Sequence, residues 1–335
     1  MTGIPILKLS MLYGDIEDKK KFISQLTEAA HHVGFFYLSE HGVSNLFLGK
    51  VRELTERFFL LPEKDKLSIS MINSPHFRGY TSPGNEKTNG SPDWREQMDI
   101  GAERAPHNLT DEDPIWLRLH GYNQWPESLP ELKDTILEYN KTLTKISIDL
   151  IRALAIGLGL PEHSFDGIYG KTPNEHIKLI KYPRNESTQE RQGVGAHKDS
   201  GLLTLILQDD NKGLQVKIND NEWIDALPIK DTFVVNLGEL LELATNGYLR
   251  ATVHRVLPQD KLTERISIAY FLGASLDSHV PIFELPIELV SDISFRETDP
   301  NNPLLRDVGL NYMKGRLRSH PDVAKKFYGK LSDFI

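Results

Sequence analysis

The pattern of apolar and polar positions changes character near residue 175. Upstream of it, apolar residues recur at helical spacing. Phe22, Leu26, Ala30 and Val33 share one face, and Gly34 follows as a stop before the apolar run F-F-Y-L, which predicts a helix over about 18–34 and then a strand. Phe47, Val51, Leu54 and Phe58 repeat the spacing, with Ser44 placed as N-cap and Pro62 as terminator. The longest pattern starts near Pro130, where Leu132, Ile136, Tyr139, Leu143, Ile146, Leu150 and Leu154 alternate steps of four and three until Gly157, Gly159 and Pro161 break it. Such a stripe is long enough to serve as a supporting element for the whole fold. Between these helices, residues 70–130 are rich in Gly, Pro, Asn, Ser and Asp, with Trp94, Trp116 and Trp125 scattered among them. They read as a long, partly ordered connection.

Downstream of residue 175 the helical period gives way to short apolar runs: H-I-K-L-I-K-Y, L-L-T-L-I-L, G-L-Q-V-K-I, T-F-V-V-N-L, R-I-S-I-A-Y-F-L and V-P-I-F-E-L. Each is bounded by Gly, Pro, Asn or Asp, as strands are. Many short strands with regular turn punctuation predict a β-sandwich or jelly roll. The expected architecture is mixed α and β: helices first, an all-β region second, and a helical tail after about 300.

Composition narrows the chemistry. The 335 residues contain no cysteine, so disulfides, thiolate zinc sites, iron–sulfur clusters and cysteine nucleophiles are excluded, and any metal must be held by His and carboxylates. A net charge of -8 disfavours nucleic acid as a partner. The basic stretch K-G-R-L-R-S-H-P-D-V-A-K-K-F at 314–327 reads as a solvated helix face. The first residues meet Asp15 and a lysine run too early for a signal peptide, and the run I-R-A-L-A-I-G-L-G-L is too short to span a bilayer. A soluble cytoplasmic protein with no membrane association is the expectation. No heptad seam indicates an oligomeric state.

Within the β region, G-A-H-K-D places His197 and Asp199 two apart, which on a strand is one face. Taken alone the pair carries little weight, because 12 histidines and an Asp frequency of about 5% predict roughly one H-x-D by chance. His320-Pro321-Asp322 is a second example; its central proline cannot join a ladder and its surroundings are helical, so it is noise. The first pair has better company. A-T-V-H-R-V brings His254, and R-I-S then puts Arg265 and Ser267 on one strand face. Two His and one carboxylate form the facial triad of non-haem iron(II) oxygenases, and a guanidinium beside a hydroxyl suits a carboxylate.

This ordered set resembles the isopenicillin-N-synthase-like iron(II)- and 2-oxoglutarate-dependent dioxygenases. The likeness spans nearly the whole chain, through V-G-F-F-Y-L-S-E-H-G-V, F-F-L-L-P-E-K-D-K, G-Y-T-S-P-G, D-W-R-E-Q-M-D, K-Y-P, G-A-H-K-D-S-G-L-L-T-L-I-L-Q-D, D-T-F-V-V-N-L-G-E-L-L-E-L-A-T-N-G and R-I-S-I-A-Y-F. The resemblance implies a distorted double-stranded β-helix, cupin-like, within residues 175–275. The preceding parts are an N-terminal dioxygenase region over 1–100 and a connection with the supporting helix over 101–174; residues 276–335 pack as a C-terminal strand and helical tail. It maps His197, Asp199 and His254 onto the iron(II) ligands, and Arg265, Ser267 and Tyr182 onto the site for the distal carboxylate of 2-oxoglutarate. Dioxygen is the co-reactant, and ascorbate is admitted as a reductant. Phe271 and Tyr80, the latter in G-Y-T-S-P-G, are placed at the pocket of a small-molecule substrate. Two departures stand out: Ile180 and Lys181 precede Tyr182 where plant members have N-Y before Y-P, and Glu239 replaces an Asp after N-x-G, at what should be only a turn.

What this implies is oxidation of a substrate C–H bond, by hydroxylation, desaturation or cyclisation, with release of succinate and CO2. Two alternatives stay open on the residues alone. One is an iron oxidase that dispenses with 2-oxoglutarate and uses Arg265 for another anion; the other is a metal-dependent binding module without turnover.

Overall fold

The computed structural model describes residues 3–110, 112–184, 191–219, 222–290 and 302–329. Its strands are β1 (Ile6–Lys8), β2 (Phe35–Ser39), β3 (Gly79–Thr81), β4 (Lys87–Thr88), β5 (Ser91–Pro92), β6 (Glu96–Gly101), β7 (Asn174–Tyr182), β8 (Val194–His197), β9 (Leu203–Gln208), β10 (Leu214–Asn219), β11 (Glu222–Asp225), β12 (Phe233–Leu237), β13 (His254–Val256) and β14 (Arg265–Gly273). Eight of them form one sheet in the order β1-β2-β12-β9-β14-β7-β6-β3, and four form a second in the order β11-β10-β13-β8. β4 and β5 make a separate hairpin. Apart from the parallel β1–β2 pair, the ladders are antiparallel.

The larger sheet is buried on both faces, which explains why its strands read as continuous apolar runs rather than as alternation. One face packs on helices. Leu179, Leu205, Val235 and Tyr270 join a core with Phe22 and Leu26 of the helix Ile16–His32 and with Leu143 and Leu150 of the helix Glu131–Gly157. Each large side chain buried this way contributes on the order of 2 kcal/mol relative to exposure. The other face looks across to the smaller sheet, and Ile180, Ile206 and Val234 meet Val194, Val216 and Val256 in a second core. Two facing sheets with these strands make the jelly roll that the punctuation predicts.

The helical readings hold in detail. The first helix ends at His32 and Gly34 takes φ 71° beyond it, as a left-handed C-terminal residue should. The Ser44 side chain accepts the Phe47 N–H at 3.2 Å, and the helix it caps closes at Phe59, ahead of Pro62. All seven apolar positions of the long helix are buried.

Three expectations are corrected. Residues 70–130 contain more than a connection: β6 is buried at all six positions and joins the main sheet beside β7. Its sequence, E-Q-M-D-I-G, hides this because the polar side chains are buried with partners rather than solvated. V-P-I-F-E-L is not a strand. Pro281 has no N–H to offer, and the Phe283 N–H goes to the Ala244 carbonyl at 2.8 Å instead. The basic stretch at 314–327 is not simply a solvated face, since Lys314, Arg316 and His320 are buried. Arg316 turns inward onto buried Asp99, at 3.1 Å. The tail reaches back over the sheet as the helices Val308–Ser319 and Pro321–Phe327. No described helix is long and apolar enough to cross a membrane.

Candidate active site

β8 and β13 are antiparallel neighbours in a register that sets His197 directly opposite His254. The ring centroids are 4.3 Å apart. The ladder shifts between His254 and Val256, a bulge of the kind that re-aims side chains at barrel rims. Asp199 lies two residues past the end of β8 rather than on it. It is placed by backbone: the Glu239 N–H donates to the Asp199 carbonyl at 2.7 Å, and Glu239 opens the short helix Glu239–Ala244. A Cβ on Gly238 would stand 2.2 Å from the Gly201 carbonyl oxygen, so glycine there permits this close approach.

The hydrogen bonds around the trio orient its free atoms. His197 Nδ1 lies 2.8 Å from the Gly195 carbonyl and His254 Nδ1 lies 3.1 Å from the Thr252 carbonyl. A carbonyl only accepts, so both Nδ1 atoms carry the proton and both Nε2 atoms present a lone pair. Asp199 Oδ2 accepts from Thr204 Oγ1 at 2.5 Å and Asn236 Nδ2 at 2.8 Å. Oδ1 is left facing His197 Nε2 at 3.5 Å and His254 Nε2 at 3.7 Å. Burial works against the Asp199 charge, but the adjacent His254 and His197 and the Asn236 amide outweigh it and hold the carboxyl well below its usual range. Burial, helped by His197, pushes His254 down to about 4. Among the described residues these three form the group able to hold a metal ion, with ligand atoms all within 4.8 Å of one another. Two imidazole nitrogens and one carboxylate oxygen fit iron(II) and leave positions open for other ligands.

The interior face of β14 carries the second part of the site. Arg265, Ser267, Ala269 and Phe271 alternate along it, so they point to one side, and Ala269 and Phe271 belong to the core between the sheets. Arg265 is 1% exposed. Its Nη2 donates to Gln208 Oε1 at 2.9 Å, and its Cζ lies 5.1 Å from the centre of the Tyr182 ring, its partner across the ladder. Arg265 Nε and Nη1 are buried with no hydrogen-bond partner. A buried guanidinium short of acceptors fits a carboxylate guest.

A cavity of about 460 Å³ opens beside the trio and is lined by His197, Asp199 and Phe271, with His254 set behind them. Arg265 and Ser267 lie further along the same face of β14 and do not line it. Tyr80 does not line it either. Its hydroxyl donates to Glu96 Oε2 at 2.8 Å and its ring packs edge-on to Phe58, on the helical side of the sheet. The alternation of β3 turns it away from the interior.

The cavity wall includes residues that motif reading does not single out. On β7, His176 and Lys178 alternate with apolar neighbours and face inward; Glu86, Arg95 and the tail's Arg316 join them. Behind them, Asp99 Oδ1 meets His176 Nε2 at 2.8 Å and Arg316 Nη1 at 3.1 Å. Glu86 is ion-paired with Arg95 at 2.7 Å and with Lys178 at 2.6 Å. Polar residues at alternate positions of two adjoining strands are the signal that points to this wall. The hairpin β4–β5 completes it, with Lys87, Thr88, Asn89 and Gly90 in the lining and Asn89 Nδ2 donating to the Ala196 carbonyl at 2.8 Å beside His197.

Comparison with known proteins agrees with this geometry. Residues 4–128 match the family of the non-haem dioxygenase in morphine synthesis N-terminal region, and residues 173–274 match the 2OG-Fe(II) oxygenase superfamily. The 2-oxoglutarate-dependent dioxygenase frbJ of Dothideomycetidae sp. (strain 11243) is 34% identical over 97% of this chain and 92% of its own. A homoarginine-6-hydroxylase of Arabidopsis thaliana is 35% identical over 83% of this chain and 86% of its own. The crystal structure of a full-length Neurospora crassa protein in complex with alpha-KG superposes with a TM-score of 0.74 at 28% identity, covering 92% of this chain and 95% of that one. The chain therefore belongs to the 2-oxoglutarate- and iron(II)-dependent oxygenases, and it is a dioxygenase that works with Fe(II), 2-oxoglutarate and O2 on a small molecule.

Proposed function

We propose that His197 Nε2, His254 Nε2 and Asp199 Oδ1 hold the iron(II), and that Arg265, with Ser267 and Tyr182, holds the distal carboxylate of 2-oxoglutarate. The reaction is hydroxylation of a C–H bond on a small metabolite seated against Phe271. The observation that carries the reading is the pair of unpartnered donors on buried Arg265, in the same interior as a trio whose lone pairs converge. An isolated buried cation costs several kcal/mol, and a dicarboxylic cosubstrate lowers that cost while gaining a fixed direction. The hydroxylase names of the plant relatives support hydroxylation over desaturation or cyclisation.

When bound, iron(II) and 2-oxoglutarate supply oxidising power, because O2 is consumed as the keto acid loses CO2 to become succinate. The chain's own part is placement. Gly195 and Thr252 carbonyls hold the protons of both imidazoles on Nδ1, away from the reacting side. Thr204 and Asn236 keep Asp199 Oδ2 engaged, so the carboxylate presents a single oxygen. Gln208 fixes the Arg265 fork from behind.

Anaerobic titration of metal-free protein with iron(II) and then 2-oxoglutarate tests this. A saturable visible charge-transfer band that weakens in Arg265→Ala is the expected result. Iron binding with no band, or an unaltered band in the variant, overturns the assignment of Arg265.

A further inference from the structure

We infer that Arg316, which reaches into the cavity from the tail helix Val308–Ser319, anchors a carboxylate of the substrate, so that the substrate is a small organic acid. The inference deepens the reading above and rests on the iron and cosubstrate site proposed there. Arg316 lines the same cavity as His197, Asp199 and Phe271, 119 residues beyond His197 in the chain. It is held there rather than loosely placed. Nη1 donates to Asp99 Oδ1 at 3.1 Å, and Nη2 donates to the Tyr312 hydroxyl at 3.1 Å and contacts the His176 ring nitrogens at 2.9 and 3.1 Å. Of its five N–H donors, no described bond uses Nε. Asp99 has no capacity to spare: Oδ1 also faces His176 at 2.8 Å and Lys178 at 3.7 Å, and Oδ2 accepts from Gln97 Nε2 at 2.6 Å. Burial first, then the adjacent Arg316, pushes His176 down to about 3, so it supports the guanidinium as a neutral ring.

The charge on the walls points the same way. Lys87, Arg95, Lys178, Lys198, Arg316 and Arg318 line the cavity, against the carboxylates Glu86 and Asp199; Arg95 and Lys178 pair with Glu86, Lys198 with Glu242 and Arg316 with Asp99 behind the wall. Glu86 is occupied by Arg95 and Lys178, and Asp199 faces His197 and His254 and accepts from Thr204 and Asn236. No lining carboxylate is left to receive a cationic substrate, whereas Arg316 keeps its Nε–H and one Nη1–H outside any described bond, and a carboxylate accepts from such charged donors. Phe271 supplies the apolar surface for the remainder of such a molecule.

The test uses the anaerobic iron(II)–2-oxoglutarate enzyme, titrated with phenylacetate, 4-phenylbutyrate and octanoate and with their methyl esters, following the charge-transfer band. At least one acid should perturb the band saturably, with its ester binding about 10- to 100-fold more weakly. Arg316→Gln should bring acid binding to the ester level while the band without acid stays as in the wild type; Arg316→Lys should retain part of the preference. Equal binding of acid and ester, wild-type acid binding by Arg316→Gln, or no response to any acid overturns the inference. Failure of the band itself counts against the cosubstrate reading instead, and calorimetry of the same acids against metal-free protein then decides Arg316 by the same comparison.

Discussion

His197 and His254 are register partners across β8 and β13, yet the carboxylate between them arrives from beyond the ladder and is steered by the opposite sheet. Thr204 on β9 and Asn236 on β12 both donate to Asp199 Oδ2. Thr204→Val removes one of these donors without altering a proposed ligand. Iron(II) affinity should fall about 10- to 100-fold, the usual effect of such outer partners. Asp199→Ala should lose iron altogether. Equilibrium iron titration reads both, and wild-type affinity in Thr204→Val would show that Asn236 alone orients the carboxylate.

Arg265→Ala should raise the KM for 2-oxoglutarate about 100- to 1,000-fold, the scale of breaking a buried charge pair. Arg265→Lys should recover little of it, since the planar fork that Gln208 orients is lost. Steady-state succinate release at varied 2-oxoglutarate measures this. A large fall in kcat with KM unchanged would instead give Arg265 a role after cosubstrate binding.

How much of this was legible beforehand depends on which interactions bury each segment. The long helix declares itself because Leu132 to Leu154 enter the apolar core, and hydrophobic period alone specifies that. β6 does not, because Asp99 is buried by ion pairs and hydrogen bonds whose partners, His176, Lys178 and Arg316, lie 77 or more residues away, and Gln97 is buried against Asp99 itself. The same long-range pairing concealed the inward turn of the tail. The proposed ligands His197, Asp199 and His254 and the proposed anchor Arg265 could be singled out because metal and anion chemistry restricts residue type and order. Tyr80 could not be placed, since being near a motif does not fix which face of a strand a side chain takes.

Stability should fall on mild acidification. Burial pushes His176 down to about 3, aided by Arg316, and pushes His320 down to about 4 against the opposing pull of Glu86. An unfolded histidine titrates near 6.5, so the unfolded chain binds more protons than the folded one from about pH 6.5 down to these values. Stability is therefore lost as pH falls through that window, by up to about 1.4 kcal/mol per pH unit for each histidine. Urea midpoints of metal-free protein between pH 7 and 4.5 should fall steadily, and His320→Gln should flatten the dependence. An unchanged slope in that variant would locate the proton uptake elsewhere.

Gly34 joins the first helix to the sheet at a point where no side chain fits. Its φ is 71°, and a Cβ would stand 2.4 Å from both the Arg250 carbonyl oxygen and Thr252 Oγ1. The surrounding bonds cannot easily give way: the Gly34 N–H donates to the Ala29 carbonyl at 2.8 Å, its carbonyl accepts the Leu237 N–H at 3.1 Å, and Thr252 Oγ1 donates to the Val33 carbonyl at 2.6 Å. Gly42 is the natural control, with φ 77° and open space around its Cβ position. Gly42→Ala should cost about 1 kcal/mol, the left-handed penalty alone. Gly34→Ala adds overpacking and should cost about 2–4 kcal/mol in total. It should also weaken iron binding, because a displaced Thr252 carries the carbonyl that orients His254 Nδ1. Urea unfolding and iron titration of the two variants separate strain from clash: equal losses in both would mean that the Arg250–Thr252 segment yields freely and does not hold the histidine.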